Sequence, residues 1–427
     1  MGAREPRLTP VSGGPPVGVP AVGRSRVRAV LSGARAVGRS RLRMRALLTG
    51  AVAAGGAALL AGCGAAGSSS SGNAAATVTG RVLDIVASEP PGDSGGQVAA
   101  DVLNAERMAF TQLGGRAGSF RLRLIVAHEH EVSADARRAV SDTAAIAYLG
   151  EIAPGTSGVS VQITNELGML QVSPTDTAAY LTRATPGAPP PGHWYPASSS
   201  YGRTFARLAP TSSVEADALV ARMRSEKLTT LDVEHDATAY GSSVADAASA
   251  AARKAGMTVL SGAPTPAAKA VLYAGLPGPA AAHALDVAAS SASSAKLFAP
   301  SALYDDAFVK SLSSAAQQAL TVSAPGIQSS ALDALGRGFV ADFSRRYGHR
   351  PAPQAIFGYE AMRALIATLR RAGAHANART TVVTDFRSLS RTAADSALGA
   401  YRLHDGDTSL RSFVFAHVSG GALVPVK

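Results

Sequence analysis

Two stretches hold residue types and spacings that could do chemistry. Gly150-Glu151-Ile152-Ala153-Pro154-Gly155-Thr156-Ser157-Gly158 joins an expected strand to an expected helix. The hydroxyls of Thr156 and Ser157, with the backbone N–H groups of a helix start, suit an anionic or polar ligand group. Val172-Ser173-Pro174-Thr175-Asp176-Thr177 ends the next expected strand in a polar turn. Both stretches fall at the C-terminal ends of strands, where open α/β sheets bind ligands. Helix N-caps that serve no ligand use the same residue types, so both readings stay open at this point. A third stretch, His128-Glu129-His130-Glu131, has metal-ligand residue types. Alternate residues of an extended chain face opposite sides, so the run reads as a solvated strand end. No phosphate loop G-x-x-x-x-G-K-[ST] and no G-x-G-x-x-G after the first strand occurs. Gly155-Thr156-Ser157-Gly158 has the wrong spacing for a nucleophile elbow. One cysteine excludes an intramolecular disulfide and a Cys-rich metal site. No catalytic constellation stands out, and neither an enzyme nor a cofactor is expected.

The elements that must position these loops alternate. Short apolar runs read as strands at Arg81–Ser88, Arg121–Ala127, Ala145–Leu149, Leu170–Val172, Thr230–Glu234, Thr258–Ser261, Ala270–Tyr273, Lys296–Ala299 and Ala319–Val322. Ala-rich runs between them read as helices at Gly96–Leu113, Ala134–Thr143, Gly158–Leu167, Ser212–Glu226, Ser242–Gly256, Gly278–Ala292, Asp305–Leu312, Ser329–Tyr347 and Ala355–Gly373. In the last of these, Ile356, Tyr359, Met362, Ile366 and Leu369 recur at helical spacing. Such alternation predicts an α/β fold with parallel sheets, and the number of strands predicts two lobes. Near the C-terminus, Ala400–His404, Ser412–Val418 and Ala422–Val426, separated by Asp-Gly and Gly-Gly turns, read as a β-meander. Pro186 to Pro196 reads as a surface loop carrying the only tryptophan, Trp194.

The 427 residues carry a formal net charge of +11, which taken whole points to nucleic acid or an anionic membrane. Its distribution removes that inference. Residues 1–62 hold ten Arg and a single acid, Glu5, so 63–427 keeps a balance of only +2. Residues 1–43 read as a basic leader, and Met44 as a better start than Met1. Residues 44–62 have a short basic start and then an apolar run, the layout of a secretory signal. Leu60-Ala61-Gly62-Cys63 resembles the bacterial lipobox, which implies lipidation of Cys63 as the mature N-terminus. Residues 63–78 read as a flexible Ser/Gly/Ala tether to a domain at 79–427, held at the outer face of the cell membrane.

Several motifs then match a family in order and spacing. They include Asp101-Val102-Leu103-Asn104-Ala105-Glu106, Ala147-Tyr148-Leu149-Gly150-Glu151 and Asn165-Glu166-Leu167-Gly168-Met169. Asp236-Ala237-Thr238-Ala239-Tyr240-Gly241, Val271-Leu272-Tyr273-Ala274-Gly275 and Phe357-Gly358-Tyr359-Glu360-Ala361 follow. From about residue 80 to the end, the chain resembles the substrate-binding proteins of branched-chain amino acid ABC transporters, the type I periplasmic-binding-protein fold. The resemblance implies two Rossmann-like (flavodoxin-like) lobes with a ligand cleft between them. Lobe 1 would cover about 79–208 and 325–390, and lobe 2 about 209–322 and 396–427, with crossovers near Ala206–Thr211, Val322–Gly326 and Leu389–Ala397. It implies capture of a small polar ligand, amino acid-like or related, for a permease. The alternative is a sensory or scaffold lipoprotein with a degenerate site. Thr156, Ser157, Thr175, Asp176, Thr177, Tyr240, Ser301 and Tyr359 become the expected ligand-binding residues. The departures weigh as much. The family's carboxylate-binding serine falls at Pro154, and its ammonium-pairing acid falls at Ser301. Glu151 and Asp176 are the remaining acids that could face a cation. Too few residues lie between Thr258–Ser261 and Ala270–Tyr273 for a crossover helix.

Overall fold

The computed structural model describes residues 77–89, 96–129, 131–260 and 264–426. The expected leader and signal, Cys63 and nearly all of the tether lie outside the described residues, as does His130.

Two parallel sheets organise the chain. The first contains β1 (Val82–Ser88), β2 (Arg116–Ala117), β3 (Phe120–Ala127), β4 (Ala145–Leu149), β5 (Leu170–Ser173) and β6 (Phe205–Arg207), in the order β2-β3-β1-β4-β5-β6. Only β2 is antiparallel, as one arm of a hairpin with β3. Helices α1 (Gly96–Leu113), α2 (Val132–Ser141), α3 (Ser157–Asn165) and α4 (Ser198–Tyr201) lie between its strands. Every residue of β4 and β5 is buried, as expected of parallel strands covered on both faces. The chain then crosses through Leu208–Thr211 into α5 (Ser212–Ser225) and the second lobe.

There β7 (Thr230–His235), β8 (Thr258–Val259), β9 (Ala270–Ala274), β10 (Lys296–Ala299) and β11 (Leu320–Pro325) are wound the same way. Helices α6 (Ala239–Lys254), α7 (Pro279–Ser291), α8 (Asp306–Lys310) and α9 (Ser314–Ala319) belong to this lobe. The parallel part of each sheet has the 2-1-3-4-5 order of a doubly wound fold, with a topological switch beside its first strand. Between β8 and β9 the described residues hold only a turn at Pro266–Ala267 and no helix.

After β11 the chain returns to lobe 1 for α10 (Ala334–Tyr347), α11 (Ala355–Ala372) and α12 (Arg379–Arg387). Helix α11 buries all but five of its residues, because it lies between α1, α10 and the body of the lobe. Its apolar positions at helical spacing are the face that joins the core, and the core of this lobe runs from Val78 to Leu403.

Two expectations are corrected here. The C-terminal meander is two structures. Strands β12 (Ser390–Arg391), β13 (Tyr401–His404) and β14 (Asp407–Thr408) form a small separate sheet packed on lobe 1. Strands β15 (Phe413–Ser419) and β16 (Ala422–Pro425) extend the lobe 2 sheet antiparallel to β11. The third crossover therefore lies between β14 and β15, near Leu410–Ser412, and not near Leu389–Ala397. The reason is a buried anchor, the Arg207–Asp407 ion pair at 3.0 Å, which keeps the β14 segment on β6. The proline-rich segment lies at the surface as expected, with Pro186, Gly187, Pro190, Gly192, His193 and Pro196 exposed, but its aromatic end is pinned to the lobe. Tyr195 is fully buried, and its hydroxyl donates to Leu181 O at 2.7 Å. Trp194 packs on Tyr180 with ring centroids 5.3 Å apart. Among the described residues no helix is long and apolar enough to cross a membrane.

Candidate functional site

A cavity of about 280 Å³ lies between the lobes. The loop after β4 gives it Glu151, Ile152, Ala153, Pro154 and Thr156, and the loop after β5 gives Thr175. Helices α1 and α2 add Val98, Ala99 and Val132, and Gln354 joins from the N-cap position of α11. Lobe 2 answers with Leu276 and Pro277 after β9, Ser301, Ala302, Tyr304 and Asp305 after β10, and Pro325 at the end of β11. Both walls are thus the C-terminal ends of parallel strands, the place where a doubly wound sheet offers loops without closing its own core.

The lobe 1 wall is held from behind by Asp176. Its carboxylate is fully buried and accepts the backbone N–H groups of Gly155 at 2.7 Å, Ser157 at 3.0 Å and Ala178 at 2.9 Å. Gly155 turns the chain at φ +83°, and a side chain there would meet Tyr240 Cβ at 3.0 Å and its ring at 3.1 Å. One helical turn on, a Cβ at Gly158 would lie 2.6 Å from Trp194. Gly158→Ala is therefore expected to displace Trp194 and cost about 1–3 kcal/mol through overpacking. Trp194 is the only tryptophan, so its emission spectrum reads this site alone. An unshifted spectrum with unchanged stability would contradict the packing.

Glu151 is the charged group of this wall. Its Oε1 accepts from the Tyr148 hydroxyl at 2.8 Å and its Oε2 from Ser88 Oγ at 2.7 Å. Burial pushes its carboxyl up to about 7, and the hydroxyls only partly offset this. Ser88 Oγ also lies 3.2 Å from Asp135 Oδ2, whose carboxyl burial raises as well. One hydroxyl proton cannot serve two carboxylates. A protonated Glu151 resolves the conflict by donating to Ser88, which then donates to Asp135.

On the lobe 2 side the acid stands behind the wall. Glu215 of α5 is fully buried. Its Oε1 accepts from Ser301 N at 2.6 Å and from Ser323 Oγ at 2.7 Å. Its Oε2 accepts from Ser301 Oγ at 3.1 Å and from Thr177 Oγ1 at 3.4 Å. It joins the lobe 1 loop, the lobe 2 wall and the second crossover strand through one carboxylate. Burial raises this carboxyl to about 6.

The expected ligand-binding residues separate into three groups. Thr156, Thr175 and Ser301 line the cavity. Ser157, Asp176, Thr177 and Tyr240 stand behind it and hold the wall. Ser157 Oγ accepts from Glu151 N at 3.1 Å, and the Tyr240 and Thr177 hydroxyls are 3.3 Å apart. Tyr359 is corrected outright: it is a core residue of lobe 1. Its ring packs on Phe339 at 4.8 Å, and its hydroxyl donates to Gln112 Oε1 at 2.5 Å. The same helical spacing that marked it as apolar-face placed it inside. Among the described residues no group of three or more metal-ligating side chains is gathered, and Asp135 Oδ1 accepts the Glu129 backbone N–H at 2.9 Å.

Sequence reasoning missed Tyr304, Asp305 and Gln354 on the wall. Asp305 had a readable signal, as the residue opening a helix: its Oδ1 caps α8 through Ala307 N and Phe308 N. Gln354 had none, because it reaches the cavity only through the long return of the chain to lobe 1.

No protein-family model matches the chain, and no curated protein matches it. Solved structures do. An ABC transporter substrate-binding protein from Desulfitobacterium hafniense, in complex with Leu, superposes with a TM-score of 0.64 at 18% identity, covering 81% of this chain and 100% of that one. A leucine-binding protein from Thermotoga maritima gives 0.65 at 16% identity, covering 81% and 97%. A solute-binding protein from R. palustris, in complex with benzoate, gives 0.61 at 15% identity, covering 81% and 95%. The chain has the two-lobed type I periplasmic-binding-protein fold.

Proposed function

We propose that this chain is an extracytoplasmic solute-binding protein, not an enzyme, which captures a small polar ligand and delivers it to an ABC transporter permease. The cavity between two doubly wound lobes carries the reading: both walls are ligand-type loops, and the chain passes between the lobes only through the crossovers. Closure about those crossovers would trap the ligand. Thr156, Thr175 and Ser301 contact it, and Ser157, Asp176, Thr177 and Tyr240 keep the wall in shape. Neither a cofactor nor nucleic acid enters this reading. The solved neighbours, one described with Leu and one with benzoate, support a small-molecule ligand.

The anchor is read from Cys63. Cys63→Ser is expected to move the protein from the membrane fraction to the soluble one, scored by fractionation and immunoblot. Retention in the membrane fraction would sink the lipoprotein reading. Ligand capture is tested by a thermal-shift screen against amino acids, amides, polyamines and small acids. A ligand at a hundredfold over its Kd adds about 2.7 kcal/mol of apparent stability. No shift across all four classes would overturn solute binding and leave the scaffold alternative.

A further inference from the structure

The chemistry of the cavity wall narrows the ligand class, an inference that rests on the solute-binding reading. Among the described residues the lining includes two acids, Glu151 and Asp305, and no Lys, Arg or His. The hydroxyls that would serve a carboxylate are turned away from it. Thr156 Oγ1 donates to Ala153 O at 2.6 Å, Thr175 Oγ1 to Ile152 O, and Ser301 Oγ to Glu215. Pro154 has neither a hydroxyl nor an N–H. Two backbone donors of the same loop, Gly155 N and Ser157 N, are taken by Asp176.

What the wall offers instead is acceptors. Asp305 spends Oδ1 on the α8 cap, and no hydrogen bond to its Oδ2 is present among the described residues. Gln354 is only 4% exposed, and its Oε1 has no hydrogen-bond partner. An unpaired buried acceptor is costly, and a ligand N–H would remove that cost. Tyr304 supplies an aromatic group beside the acids, and the rest of the wall is aliphatic or proline.

We propose that the cleft takes an organic amine with a small apolar body and no carboxylate. Its ammonium group lies between Glu151 of lobe 1 and Asp305 of lobe 2, and Gln354 Oε1 accepts a further N–H. The rival is a carboxylate bound at the first turn of α1 or α11, since Val98, Ala99 and Gln354 bring both helix starts to the cavity.

Matched probes separate the two. Calorimetric titration of the full-length protein at about pH 8, where Glu151 is ionised, would use isopentylamine, leucine and 4-methylpentanoate. These share a branched apolar body and carry an ammonium, both charges or a carboxylate. Isopentylamine is expected to bind at least ~10-fold more tightly than 4-methylpentanoate, and Glu151→Gln and Asp305→Asn to weaken it ~10-fold or more each. Both changes are close in shape, and Asn caps a helix as well as Asp, so free variants that melt no lower than the parent control for folding. Tighter binding of leucine or of the acid overturns the amine assignment and leaves solute binding standing. Silence from all three probes also overturns it, and solute binding itself falls only if the wider thermal-shift screen is silent too.

Discussion

Asp407→Ala is expected to destabilise the protein by about 3–5 kcal/mol, because it strands a buried cation. Arg207 is fully buried on β6. Its Nε donates to Asp407 Oδ1 at 3.0 Å, its Nη1 to Asp176 O at 3.0 Å, and its Nη2 to Thr182 Oγ1 at 3.2 Å. Asp407 in turn accepts from Thr182 Oγ1 at 2.8 Å and from Arg183 Nε at 3.0 Å. Remove the carboxylate and the guanidinium keeps two neutral acceptors but no counter-charge. The effect should reach the cavity. Arg207 holds the Asp176 carbonyl, and the Asp176 side chain holds the loop after β4. Asp407→Asn retains an acceptor for Arg207 and should cost less than the alanine variant. Denaturant unfolding with two optical probes measures both. A change under 1 kcal/mol for the alanine variant would show that water replaces the carboxylate there.

That pair also shows where the sequence stops being legible. The strands after which the cavity forms were readable, because a buried parallel strand writes itself as a short apolar run. The loops at Gly150–Gly158 and Val172–Thr177 followed from those strand ends. The short pieces β2, β6, β12 and β14 have at most three residues each, too few for a period to declare itself. The position of the third crossover depended on one ion pair between residues 200 apart, which no local pattern encodes. The site residues divide in the same way. Residue type and loop position indicated Thr156 and Thr175, and the family resemblance indicated Ser301. Whether a hydroxyl faces a ligand or a backbone carbonyl is a matter of rotamer and neighbour, and here all three donate to the protein. Tyr359 was misread for a related reason: a motif match says nothing of which side of a helix meets the cleft, whereas its own apolar spacing pointed to the core.

The second large effect is a fall in stability as pH rises from about 4.5 to 7. Glu151 and Glu215 are both fully buried, and burial lifts their carboxyls to about 7 and about 6 from 4.5. Between those values the unfolded chain has released these protons and the folded chain still holds them. The folded state thus binds more protons, and the slope of stability with pH is negative. Below 4.5 both states are protonated and the term vanishes; above about 7 both are ionised and the loss is complete. Together the two sites amount to on the order of 5 kcal/mol. Glu106 adds to the same direction, since both its oxygens are buried without partners and burial raises its carboxyl further. Glutamine mimics the protonated form at either position. At Glu215 the amide oxygen can keep Ser301 N and Ser323 Oγ, while the amide nitrogen donates to the hydroxyls of Ser301 and Thr177. At Glu151 the amide donates to Ser88, freeing that hydroxyl for Asp135. Glu151→Gln with Glu215→Gln should therefore flatten the profile and exceed the parent in stability at about pH 8, by up to the same few kcal/mol. Denaturant midpoints across this range decide it. A parent whose stability rises towards neutral pH would mean that the serine, threonine and tyrosine hydroxyls hold these carboxylates ionised. An amine in the cleft works against the same slope. It favours the ionised Glu151, so its affinity should grow as pH rises through 7 while the empty protein loses stability.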